Sequence, residues 1–263
     1  MTELKKKLFQ AYYFLFHRIT ARHTKGYGVH SPFLFHFVRF VLMENWPFYS
    51  FGLIEQRRSE LLKSKMIIDK RDFGTSKSRM VKVSSIAAKS LSSAKTGKML
   101  FRIINTYHYK NVLELGTSLG ITTAYMASVG KELNCVTLEG CPETASIAQT
   151  TFRQLGLDNI KTVTGDITHT LPGVVKDMGK IDFVYMDANH TYDAVLSYFE
   201  QIADYLSNNA IVVVDDIDWS CEMNKAWRLL FESEKVKVAI ELNRCGILML
   251  NRDLTKARYR IRY

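Results

Sequence analysis

Five acidic residues recur in this chain at one kind of place, at or just beyond the end of a short apolar run: Glu114, Glu139, Asp166, Asp187 and Asp215. Asp216 follows the last of them directly, and His190 stands three residues after Asp187. The first acid lies in Val112-Leu113-Glu114-Leu115-Gly116-Thr117-Ser118-Leu119-Gly120, which reads as a strand, a glycine turn and a helix start. Gly116 would let the backbone pass close to a ligand, and Gly120 would let the helix approach the strand. This E-x-G-x-x-x-G spacing is not the G-x-G-x-x-G of dinucleotide-binding turns, and Glu114 would repel a pyrophosphate. A carboxylate there suits a ligand that carries an ammonium and a sulfonium. Glu139 ends Val136-Thr137-Leu138-Glu139, where an acid can accept hydrogen bonds from both ribose hydroxyls. Asp166 falls where an adenine amino group would lie. Any one of these acids could simply cap the next helix. Acids at successive strand ends on one sheet edge point to a site.

Those positions presuppose the elements that hold them. Apolar, β-branched runs predict strands at 111–115, 134–139, 160–164, 181–186 and 210–215, with helices near 121–130, 142–156, 192–206 and 219–232. Such alternation implies an α/β fold, a doubly wound, mostly parallel sheet. The last two runs, Val236 to Leu242 and Gly246 to Leu250, are separated only by Asn243, Arg244 and Cys245. That is too short for a parallel crossover, so they must form an antiparallel hairpin. Upstream, Leu8, Tyr12, Leu15 and Ile19 recur at helical spacing and predict a helix over 3–22. Ser31-Pro32 opens a second helix running to about Glu44. A helix is expected at 52–65 and helical pieces over 81–108.

This ordered set resembles the class I S-adenosylmethionine-dependent methyltransferases, over about residues 90–250. The resemblance implies a Rossmann-like seven-stranded sheet ending in an antiparallel hairpin, as methyltransferase domain 91–263 behind a helical N-terminal extension or lid, 1–90. It implies S-adenosylmethionine as cofactor, with Glu114, Gly116 and Gly120 at the methionine part, Glu139 at the ribose, Asp166 near the adenine, and Thr117, Ser118 and Asp187 also binding the cofactor. Asp187-Ala188-Asn189-His190-Thr191-Tyr192 and Val213-Val214-Asp215-Asp216 resemble the metal-dependent small-molecule O-methyltransferases. Carried over, Asp187, Asp215 and Asp216 would ligate Mg²⁺, Mn²⁺ or Ca²⁺, and Asp187 and His190 would be catalytic. The metal would lower the acceptor hydroxyl's pKa and His190 would take its proton. Ser93 to Lys98 resembles the stretch that covers the cofactor in that group. Catechol and caffeoyl-type enzymes carry Asp-Asn where this chain has Asp215-Asp216, and Lys where it has His190. Paired acids and D-x-x-H-x-Y look more like sugar- and macrolide-directed enzymes, so the expected acceptor is a small hydroxylated molecule other than catechol. Tyr27 to Pro32 resembles the N-terminal segment of a bacterial methyltransferase branch; His30 there reads as a packed residue at a helix start.

Composition sets the outer bounds. The chain has 263 residues, 47% hydrophobic and 24% charged, enough to bury a core without disulfide or metal staples. No apolar run approaches the roughly 20 residues that span a bilayer, and no signal peptide is read. Cys135, Cys141, Cys221 and Cys245 form no zinc spacing, which fits a reduced, cytoplasmic protein. Charge is uneven: residues 1–110 hold 21 Lys+Arg against 6 Asp+Glu, and residues 111–263 hold 15 against 20. The basic half leaves room for an RNA or protein methyltransferase, with nucleic acid the less favoured partner. A non-catalytic, methyltransferase-like adaptor is the remaining alternative. The aromatic run Tyr12 to Phe16 is read as packing on the main domain or on a second subunit in a homodimer, ahead of a membrane surface. Arg258 to Tyr263 alternates charged and apolar residues, as an edge strand would, and is the best candidate for a phosphate-contacting strip. Asp72-Phe73-Gly74 spells a kinase triplet without its companions and is set aside.

Overall fold

Short runs rich in Val, Ile and Leu, too short for amphipathic helices, pair as strands. In the computed structural model, which describes residues 3–72 and 77–263, those runs build an α/β fold around a mostly parallel sheet of eight strands. Phe73 and Gly74 of the set-aside triplet lie outside the described residues. Contacts divide the chain into two compact units, Asn45–Met178 and a second made of Met1–Glu44 with Gly179–Tyr263.

The unit Asn45–Met178 contains α3 (Tyr49–Lys63), the hairpin β1 (Ile67–Asp72) and β2 (Lys77–Lys82), α4 (Val83–Ser90) and α5 (Ala94–Tyr107). It continues through β3 (Asn111–Leu115), α6 (Ile121–Ala127), β4 (Asn134–Glu139), α7 (Pro142–Gln154), β5 (Ile160–Thr164) and α8 (Ile167–Met178). The three long-run strands lie in the order β3-β4-β5, all parallel, with Glu114 opposite Thr137 and Glu139 opposite Thr164. Their carboxyl ends therefore share one edge. Phe51, Ile54, Phe101, Leu119, Ile121 and Tyr125 pack together in its core. The antiparallel hairpin β1–β2 is an addition to the helical region expected before residue 90.

The other unit opens with α1 (Glu3–Thr20) and α2 (Pro32–His36), which runs on as a wider π-type turn over Phe37–Leu42. Ser31 caps α2 through its hydroxyl, and Pro32 holds the first position. Then come β6 (Ile181–Met186), α9 (Tyr192–Ala203), β7 (Leu206–Val214), α10 (Cys221–Glu232), β8 (Val238–Glu241), β9 (Gly246–Met249) and β10 (Ala257–Arg260). Strand order here is β10-β8-β9-β7-β6. β8 and β9 form the expected antiparallel hairpin. β10 pairs parallel with β8 and makes the eighth strand where seven were expected. Its arginines are not a phosphate strip: Arg258 and Arg260 both pair with the buried carboxylate of Glu241, which also accepts from Trp227 Nε1 at 2.9 Å.

Candidate functional site

In the unit Asn45–Met178 the turn after β3 is tied to the end of β4. Gly116 and Thr117 donate their backbone N–H groups to Leu138 O, at 2.9 and 3.2 Å. Gly116 has φ 100° and Gly120 φ 83°, a left-handed region that glycine enters at little cost. A Cβ on Gly120 would sit 2.7 Å from the Phe152 ring, so the missing side chain is what lets α6 approach α7. Glu139 takes two backbone donors, Ser118 N at 2.8 Å and Cys141 N at 2.9 Å, which fixes both of its oxygens at the strand end. Asp166 accepts from Thr168 N at 2.9 Å and so starts α8, the capping role weighed above.

Glu114 is the unusual member. It is fully buried, and one carboxylate oxygen accepts from the hydroxyls of Thr123 and Thr137. The other oxygen has no hydrogen-bond partner among the described residues, nor does the buried Ser118 hydroxyl in the same turn. Burial pushes its pKa up to about 8, because no cation offsets the lost hydration. A carboxylate left one bond short inside a protein is costly unless a ligand completes it. An ammonium group would. This donor and acceptor set fits the aminoacyl end of S-adenosylmethionine.

The second cluster lies in the other unit, where β6 and β7 pair in parallel with Met186 opposite Val214. Asp187 and Asp215 are therefore neighbours just past the strand ends. Tyr185 Oη donates to Asp215 Oδ2 at 2.7 Å and lies 3.4 Å from Asp187 Oδ2. Asp215 is buried, and burial followed by the charge of Asp216 holds its carboxyl above the usual range. His190 Nε2 stands 3.4 Å from Asp187 Oδ1 and 3.9 Å from Asp216 Oδ2.

Arg244 completes this cluster, and sequence reasoning passed over it. β9 runs antiparallel to β7 with Gly246 opposite Val214, so the short β8–β9 loop must fall beside Asp215 and Asp216. Ile217 N donates to Arg244 O at 2.9 Å. The guanidinium donates to Asp216 Oδ1 from Nε at 3.1 Å and from Nη2 at 2.6 Å. Neither Asp216 nor Asp218 caps α10; Ser220 does, accepting from Met223 N at 3.1 Å.

These partners answer the metal question on chemistry. Asp216 is committed to Arg244, and Asp215 to Tyr185 and to the Asp216 backbone N–H. No group of three or more His, Cys, Asp or Glu among the described residues is arranged to hold a metal ion. The arrangement does not fit a divalent cation at Asp187, Asp215 and Asp216. The positive charge there is the guanidinium.

Residues 113–217 of the chain match the family model described as Methyltransferase domain. Among particular proteins, the chain is 30% identical over 127 residues to a catechol O-methyltransferase of Mycobacterium tuberculosis, covering 48% of this chain and 56% of that protein. It is 30% identical over 128 residues to a catechol O-methyltransferase of Niastella koreensis, covering 48% and 57%. The chain thus spans little more than half the length of the curated relatives it matches. The fold is shared with an O-methyltransferase from Bacillus cereus solved with SAH, at TM-score 0.58 and 16% identity, over 80% of this chain and 94% of that one.

Proposed function

We propose that this protein transfers a methyl group from S-adenosylmethionine to the hydroxyl of a small acceptor. The observation that carries the reading is the buried Glu114 carboxylate with one oxygen unsatisfied in a glycine turn. Glu114 and Ser118 would receive the ammonium and its neighbours, Glu139 the ribose hydroxyls, and Asp166 the adenine edge. When bound, the cofactor supplies an electrophilic sulfonium methyl for in-line displacement by oxygen. His190 would take the hydroxyl proton. Asp187, 3.4 Å from its Nε2, would orient the ring and stabilise the imidazolium. Arg244 balances the acids around it, where the resemblance called for a metal. No metal step is assigned. The match to catechol O-methyltransferases supports a hydroxyl acceptor, while His190 and Asp216 stand where the catechol group carries Lys and Asn.

Calorimetric titration with S-adenosylhomocysteine, with Mg²⁺ and again with chelator, tests this. Micromolar binding, equal in both buffers, is expected. Absence of binding in either buffer would overturn the cofactor reading and favour the adaptor. Binding lost on chelation would overturn the role given to Arg244.

A further inference from the structure

Helix α1 packs its half-buried Phe9, Tyr13 and Phe16 inward and still carries a second apolar stripe outward. Its hydrogen-bonding side faces the protein: Gln10 Nε2 donates to Trp219 O at 3.0 Å, and Tyr13 Oη lies 3.3 Å from Asn224 Oδ1 and accepts from Arg228. His17 is buried with Nε2 3.3 Å from Glu241 O, and Thr20 Oγ1 accepts from Arg260 at 2.7 Å. The second stripe faces out. Leu4, Leu8, Tyr12, Leu15 and Ile19 are each 58 to 71% exposed. Their steps of four, four, three and four residues place them in one stripe along the helix. An amphipathic helix ordinarily turns such a stripe to the core.

The charges say what covers it. On the helical wheel, exposed Lys5 borders one side of the stripe, and exposed Lys7 and Arg18 border the other. Arg22 follows at the C-terminal end. From residue 4 to residue 43 the sequence holds seven Lys and Arg and no Asp or Glu. A second copy of α1 laid on this stripe would bring the bordering Lys5, Lys7 and Arg18 against further cations. An anionic bilayer surface meets both features: leucines enter the acyl boundary, and lysine and arginine stems reach back to the headgroups. No helix among the described residues is long and apolar enough to cross a membrane, so contact would lie in the interface plane. We propose that α1 docks this protein on an anionic lipid surface through the stripe Leu4, Leu8, Tyr12, Leu15 and Ile19. The inference is independent of methyl transfer.

Vesicle flotation of the full chain tests it, using phosphatidylcholine alone and an equal mixture with phosphatidylglycerol. The protein should float with the mixed vesicles, stay behind with phosphatidylcholine, and detach as salt rises. The double variant Leu8→Glu/Leu15→Glu should bind at least about tenfold more weakly, since two leucines no longer leave water for the acyl boundary. Its melting temperature and S-adenosylhomocysteine affinity should match the parent. If it fails to fold, Leu8→Gln/Leu15→Gln serves instead, and Lys5→Gln/Lys7→Gln should lower binding about fivefold per charge removed. Absence of flotation with the mixed vesicles overturns the proposal, as does flotation undiminished in the leucine variants. A dimer in solution that these variants dissolve, without vesicle binding, would assign the stripe to a second copy.

Discussion

Glu114 is the residue whose environment most constrains what the protein binds. Below pH 4.5 its carboxyl is protonated in folded and unfolded chains alike; between 4.5 and about 8 only the folded chain keeps the proton. The group therefore stabilises the ligand-free fold at low pH, and that contribution falls as pH rises through this window. In Glu114→Gln the fall should vanish, and urea unfolding at pH 5 and pH 8 should show a smaller difference than in the parent. An unchanged pH dependence would show that Glu114 is already ionised. An ammonium ligand reverses the preference, so binding should release close to one proton near pH 7. Calorimetry in buffers of different ionisation heat reads this directly. The acids themselves were legible, because each stands at the end of an obvious strand. Thr123, Thr137, Tyr185 and Arg244 were not. Thr137 is found only once Glu114 is known to lie opposite it, and Arg244 only once β9 is known to run back beside β7.

At the scale of elements, the expected bounds of β3, β4, β5 and β6 match the structure to the residue, although β5 is only partly buried and β3 and β4 begin on exposed or half-exposed asparagines. β7 starts at Leu206, earlier than the expected 210, because Ser207, Asn208 and Asn209 lack a strand's apolar character. α8 was missed altogether, since Pro172 and Gly173 stand inside it and Asp166 was read for its chemistry rather than as a cap. The hairpin β1–β2 is mostly charged or polar, and its apolar residues fall in adjacent pairs, Ile67-Ile68 and Met80-Val81, which carry no alternation to read. Gly120 tests how tightly the elements are set. Its positive φ and the 2.7 Å approach to Phe152 mean that Gly120→Ala should destabilise the fold by about 1–3 kcal/mol. Denaturant unfolding would measure it. A loss under half of that range would mean α6 and α7 can separate without cost.

For the molecule as a whole, the two chain ends meet at one buried carboxylate. Glu241 holds Arg258 and Arg260 of β10 and Trp227 of α10, while its carbonyl receives His17 of α1. Burial alone would raise its pKa; Arg258 and Arg260 outweigh that and hold it below the usual carboxylate range. Glu241→Ala leaves two cations without their partner and should cost on the order of 3 kcal/mol, read by urea unfolding. If stability is kept, the pairs are surface decoration. The charge imbalance of the sequence was visible from the start, but its meaning was not: composition reports that cations are present, and only the mounted helix shows which apolar residues they border.

The unit built from Met1–Glu44 and Gly179–Tyr263 also has a history in time. Residues 45 to 178, 134 of them, intervene between its halves. A ribosome adds on the order of 10 residues per second, so α1 is made roughly ten seconds before the first strand of its own unit exists. During that interval both its leucine stripe and the face meant for α10 are uncovered. The nascent chain thus offers a basic, apolar helix to whatever surface is nearest, long before the finished protein can.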